Sequence, residues 1–363
     1  MQSVSVLPLH GGRAPRWLFP RMVKLGGIIA NAVIDEYGTV EFLRRLSSPY
    51  WFQALACAIG YDWHSSGATT VTMGALKEAL NFKSGVFIAG GKGSVGTSAP
   101  EQIARGAEYL SLQGAERLVH ASRMSAKIDS ALVYDDIGIY HHTIAFAKDG
   151  SWCVIQQAMH NASGNAIRFQ VDGSRVDARD MTNETNSGVF AVKSSATLDL
   201  TAEGNAKLKQ ASLNLVNDDL SALNSFDPKV YSLPKRHAIH TADLSPRARR
   251  LLAQVSDMRP ESYEEMLQMK GIGRKTLRSV AMIASLVYRT EIYERDPILY
   301  AYNVGGKDGI PYPIDIDEYD RVIGAMGELV RGSSMAQEDE RNSLRRLSAE
   351  LSRAYAGTAQ KSL

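Results

Sequence analysis

The sequence predicts an α+β protein: a helical N-terminal domain, a small middle domain built around a β-hairpin, and a helical C-terminal domain carrying a helix-hairpin-helix. Three observations lead there. Apolar residues recur at helical spacing through most of the first 120 residues. Two β-type runs, Ile139 to Ala147 and Trp152 to Ala158, then flank Asp149-Gly150, a strong two-residue hairpin signal. From Ser245 onward the helical spacing returns, interrupted by Lys270-Gly271-Ile272-Gly273.

The elements follow in order. Leu18 to Tyr37 aligns Leu25, Ile28, Ile29, Ala32 and Val33 on one helical face, and Gly38 stops it. Further helices are expected over Val40 to Leu46, Trp51 to Ile59, Thr72 to Leu80, Glu101 to Tyr109 and Leu118 to Leu132. Ala89 to Pro100 (AGGKGSVGTSAP) reads as a flexible linker, because it lacks the residue order of a phosphate-cradling loop. Arg168 to Val192 reads as a small sheet with loops, Thr201 to Val216 as a helix, and Asn217 to His240, with Pro228 and Pro234, as a linker. Pro246 to Val255, Ser262 to Met269, Arg274 to Val287, Asp317 to Leu329 and Gln337 to Tyr355 are the C-terminal helices. The expected domains are therefore 1–120, 121–216 and 241–363, with 217–240 as the linker.

Composition narrows the function. A chain of 363 residues suits two or three domains. Its net charge of +2 excludes bulk electrostatic attraction to nucleic acid, so any such binding needs a local basic patch. Cys57 and Cys153 both sit in apolar runs, which reads as buried free thiols in a reducing cytoplasm and excludes an all-cysteine metal site. No apolar run reaches the roughly 18 residues of a membrane span, and the N-terminus lacks the apolar core of a signal peptide.

The segment MLQMKGIGRKTLRSVAMIASLV, beginning at Met266, carries the sharpest signal. Gly271 and Gly273 flank the apolar Ile272, a spacing suited to a tight bend between two helices with Ile272 as its plug. A helix starting at Arg274 would present free backbone N–H groups to an anion. Lys270, Arg274, Lys275 and Arg278 add charge, and Thr276 completes the candidate surface. Between Pro228 and Asp296 stand 13 Lys/Arg against 8 Asp/Glu, a local net of +5. DNA is the expected partner, with RNA as the alternative, gripped through the sugar-phosphate backbone without base readout. The segment resembles the helix-hairpin-helix of repair and nuclease proteins. That resemblance implies a monovalent cation held by hairpin carbonyls. It also draws attention to Asp296, placed much as the catalytic acid of helix-hairpin-helix glycosylases.

Candidate chemistry lies upstream. Asp62 and His64 stand in the polar segment GYDWHSSGATT, Asp129 lies on the helix leading to the hairpin, and His141 and His142 lie on the hairpin. If Asp149-Gly150 is a two-residue turn, His142 opposes Gln157 and shares a face with Ile144, Phe146, Cys153 and Ile155, while Gln156 joins Thr143 on the other face. Asp62, His64, Asp129, His141, His142 and Gln157 are thus the candidate catalytic residues. Asp62, His64 and His142 are the candidate ligands of a divalent metal, Mg²⁺ or Mn²⁺. The expected function is a DNA-processing enzyme of the repair class, a metal-dependent nuclease. Two alternatives stand beside it: a base-excision enzyme using Asp296 with Lys275, and a non-catalytic DNA-binding module. The charged helix Glu338 to Tyr355 reads as a solvated helix, with pairing of chains into a homo-oligomer as its second reading.

Several segments together resemble the family known as domain of unknown function 763: Leu7 to Leu18, Phe42 to Thr70, Ile139 to Phe146, Val154 to Met159 and Gly305 to Asp315. The resemblance spans nearly the whole chain and implies no particular activity. Ala158 departs from it, where the family pattern has Gly, and Phe169 to Phe190 is less typical.

Overall fold

The computed structural model describes residues 17–60, 66–82, 84–134, 137–160, 165–177, 179–183, 197–225 and 244–295. Three helices open it: α1 (Phe19–Leu46), α2 (Pro49–Ile59) and α3 (Ser66–Leu80). Gly38 leaves helical geometry at φ 85°, so the expected stop is a kink within α1 rather than an end. Strand β1 (Val86–Lys92) follows, then α4 (Ser94–Thr97), α5 (Ala99–Leu110) and α6 (Ala115–Ile128). A π-helical turn over Asp129–Val133 leads from α6 to three strands, β2 (Ile137–Ala147), β3 (Trp152–His160) and β4 (Asn165–Asp172). The remainder comprises β5 (Thr197–Leu198), α7 (Ala206–Asn217), α8 (Leu220–Ser225), α9 (Pro246–Met258), α10 (Tyr263–Gln268), α11 (Arg274–Tyr288) and β6 (Glu294–Arg295).

The four long strands form an antiparallel sheet in the order β1-β2-β3-β4, and the fold is α+β as expected. One face, with Val86, Ile88, Ala145, Ala147, Cys153 and Ile155, packs on α1–α3. The other, with Phe87, Ala89, Ile144, Phe146, Val154 and Val171, packs on Ile103 and Leu110 of α5 and Leu118 of α6. Behind α6, residues of the π turn, α7, α9, α10 and α11 share a third core with Ile167 and Phe169 of β4. These cores cut across the expected domain boundaries. α7, assigned to the middle domain, packs with α9–α11 of the C-terminal one, because its apolar side faces Leu277 to Ala284 rather than the sheet alone. The expected linker contains α8, and residues 226–243 lie outside the described set.

Two expectations about the sheet fail for stated reasons. First, the β2–β3 loop has three residues, Lys148-Asp149-Gly150, with Gly150 at φ 83° and Ala147 N donating to Ser151 O at 3.0 Å. A turn closed by glycine in the left-handed region fits the strand twist with one residue more than the two-residue form. Pairing therefore shifts by one: His142 faces Gln156 and Thr143 faces Ile155. Second, the stretch read as a linker is ordered, beginning with the end of β1 and continuing through α4 into the start of α5. Gly90, at φ 91°, lies so close to β2 that a Cβ there would stand 2.1 Å from His142 O. Gly91 and Gly96 likewise meet Val95 and the Gly91 carbonyl at under 3 Å. The glycines serve close packing of a turn, not mobility. Gly90→Ala is expected to cost at least about 3 kcal/mol, joining steric overlap with a backbone atom to an unfavourable φ. Chemical denaturation would measure it, and a loss under 1 kcal/mol would contradict this packing.

Candidate functional site

Residues 263–288 form two helices around a tight bend. Ser262 starts α10, its Oγ accepting from Glu265 N at 3.1 Å, while the Glu265 carboxylate accepts from Glu261 N at 2.7 Å. Gly271 adopts φ 95° and is exposed, with Leu251 of α9 beneath it. Ile272 is 3% exposed and plugs the bend into the third core. Gly273 starts α11 without a side-chain cap, and the first helical bond runs from Leu277 N to Gly273 O. The amides of Arg274, Lys275 and Thr276 precede it, at the positive end of a 15-residue helix. Lys270 and Lys275 are exposed.

Other cations brace this bend from within. Lys127 of α6 donates to Met269 O at 3.1 Å, and burial lowers its pKa. Arg274 donates to Ile137 O at 2.6 Å, tying α11 to the start of β2. Arg278 is fully buried, its guanidinium donating to Leu198 O at 2.6 Å and Leu132 O at 3.2 Å. Arg278 was expected on the phosphate-facing surface. It points the other way, into the core, where the Leu198 and Leu132 carbonyls accept from it beside the bond from Leu200 N to Leu132 O at 3.0 Å. Lys127 also bears on the expected monovalent cation, since an ammonium of the chain itself occupies the Met269 carbonyl. Glu264 completes the bracing, taking His120 of α6 at 2.8 Å on Oε1 and Met181 N at 2.6 Å on Oε2.

The opposite side of α6 meets the sheet through a buried polar array. Gln156 Oε1 lies 2.8 Å from His142 Nδ1, and His142 Nε2 lies 2.7 Å from Ser122 Oγ. Gln156 Nε2 donates to Ser125 O at 3.0 Å and to Asp129 Oδ2. The amide orientation so set makes Gln156 Oε1 an acceptor, which requires a proton on His142 Nδ1. Burial keeps His142 neutral, so Nε2 accepts from the Ser122 hydroxyl. The sequence Ser–His–Gln–Asp has the polarity of a nucleophile, a base and its orienters, yet Ser122, Gln156 and Asp129 are all 2% exposed or less. Asp129, at the start of the π turn, stands four residues from Ser125 and so shares its side of the helix.

The candidate catalytic residues therefore do not form one group. Asp129 and His142 lie on the α6 side of the sheet. His141 and Gln157 pair on the α1–α3 side, where Gln157 Nε2 donates to Ser66 O at 2.9 Å and to Tyr140. Register decides this, since neighbours in a strand face opposite sides. Asp62, His64 and Asp296 lie outside the described residues. Among the described residues no three His, Cys, Asp or Glu side chains are placed to hold a metal. His142, an expected ligand, has both ring nitrogens engaged. No described helix is long and apolar enough to cross a membrane.

A family model described as "Protein of unknown function (DUF763)" matches residues 3–314. The chain belongs to this family. No curated protein and no solved structure matches it. Three residues of this DUF763 protein were not singled out from sequence: Ser122, Lys127 and Gln156. Gln156 was legible in principle, because a three-residue loop would have placed it opposite His142. Lys127 and Ser122 carried no signal.

His141 supplies a pH test. Both its ring nitrogens are buried without a partner among the described residues. Burial first, then His142, Lys92 and Lys77, lowers its pKa from 6.5 to about 3. In that window the unfolded chain binds a proton that the folded chain refuses, so stability falls as pH drops through it, by up to about 1.4 kcal/mol per pH unit. His141→Met is expected to flatten this acid limb when urea unfolding is compared at about pH 7 and about pH 4.5. An unchanged limb would refute the assignment.

Proposed function

We propose that this DUF763 protein binds nucleic acid, DNA first, through its sugar-phosphate backbone, with residues 263–288 acting as a helix-hairpin-helix. The observation that carries the reading is the exposed, left-handed Gly271 next to a buried Ile272: the bend faces solvent while its plug anchors it. A phosphate seated at the start of α11 meets the amides of its first turn and the exposed residues Lys270 and Lys275. Nothing in this arrangement reads bases, so sequence preference is weak.

The non-catalytic form of the proposal has the better support. A nuclease or a base-excision enzyme needs reacting groups open to substrate, and Asp129 and His142 instead satisfy one another's neighbours inside the fold. The metal-dependent reading rests on Asp62 and His64, and the base-excision reading on Asp296. A cytoplasmic location, inferred from Cys57 and Cys153 forming no disulfide, belongs to the same proposal.

The test is binding of labelled duplex DNA across a salt series. Lys270→Glu/Lys275→Glu is expected to weaken binding at least about 10-fold at low salt, uniformly across unrelated sequences. Gly271→Val should do the same by straining the bend. Full retention of affinity in the lysine double variant would remove the proposal.

A further inference from the structure

The bend is the meeting point of three helices, and the two that flank it carry unspent positive charge. α9 reaches it through Leu251, which a Cβ at Gly271 would meet at 3.1 Å. α6 reaches it through Lys127 on Met269 O, and runs beside α10, where His120 holds Glu264. On α6, Arg123 stands between His120 and Lys127 at i+3 and i−4, so it shares their side of the helix, about 6 Å along the axis from Lys127. Arg123 is exposed. On α9, Arg247 stands one turn before Leu251, and Arg250 is its neighbour; both are exposed, and Leu252 and Val255 turn the opposite side into the core.

Arg123, Arg247, Arg250 and Lys270 have no carboxylate partner among the described residues. The carboxylates nearest in sequence to the bend are already used: Glu265 accepts from Glu261 N at 2.7 Å, and Glu264 is buried under His120 and Met181 N. Exposed acids on the flanking helices, Glu116 and Asp257, stand seven residues from Arg123 and Arg250, about 10 Å away along each axis. Cations held apart from acids on three converging elements are matched to a polyanion with regularly spaced charges.

We infer that the contact with nucleic acid does not end at the bend but continues onto Arg123 of α6 and Arg247 and Arg250 of α9, giving a backbone track across three elements. The inference rests on the proposed reading of the bend and adds the length of the track. It makes a quantitative claim, since each phosphate contact contributes about 0.9 to the slope of log affinity against log salt for duplex DNA.

The experiment measures that slope with the full chain and a short labelled duplex. For Arg123→Ala/Arg247→Ala/Arg250→Ala the slope should fall by about 2 to 3 and affinity at low salt by about 10-fold or more, with the thermal unfolding midpoint retained. Arg105→Ala, which removes a charge stacked on Phe82 of the β1 side, should leave the slope unchanged. If the native chain binds and the triple variant keeps the same slope, the extended track is wrong and the bend stands alone. If the native chain does not bind duplex at all, the reading of the bend fails and the track with it.

Discussion

Gln156 lies at the centre of the sheet with an amide that must be satisfied at both ends where no water reaches. Its oxygen takes His142 and its nitrogen takes Ser125 O and Asp129, so one side chain joins β2 and β3 to α6 and the π turn. An unmade bond at a buried polar group costs about 1–3 kcal/mol, and the bonds of a buried network support one another. The position of α6 over the sheet is therefore set within narrow limits. What α6 carries on its other side inherits that position: His120 on Glu264 and Lys127 on Met269 O.

Part of the charge around the bend works inward. Arg278 and Arg274 donate to carbonyls of the π turn, β5 and β2, and Lys127 neutralises the carbonyl that ends α10. Forked guanidinium groups suit this work, because one side chain can reach two carbonyls that diverge from each other. The exposed lysines at the bend are compact point charges on flexible stems, which follow a phosphate without demanding one orientation. A chain of net charge +2 can still carry a local group of exposed cations, here Lys270 and Lys275 at the bend with Arg123, Arg247 and Arg250 on the flanking helices.

The helices, the hairpin and the glycine bend were legible in the sequence because each depends on local periodicity or on a residue that permits a rare φ. The site behind them was not, and the reasons are specific. One extra residue in the β2–β3 loop turned Gln156 toward His142 and Gln157 away from it; a pattern of period two cannot survive an error of one. β1 escaped notice because its glycines mark close approach to His142 O, which depends on a strand about fifty residues later. Arg278 reads as a surface cation in a basic stretch, and only the tertiary position of Leu132 and Leu198 explains its burial.

The bracing also bears on how a backbone binder would reach useful affinity without base contacts. Each rotamer-rich side chain that must be ordered on binding costs about 0.5–1.5 kcal/mol. At this bend the amides are fixed beforehand by Ile272 below, Leu251 beside, and Lys127 and Glu264 behind, so the ordering falls only on the exposed cations. The internal charges are then not lost to binding. They hold the donors where an anion can use them, and the surface lysines and arginines have only to supply attraction.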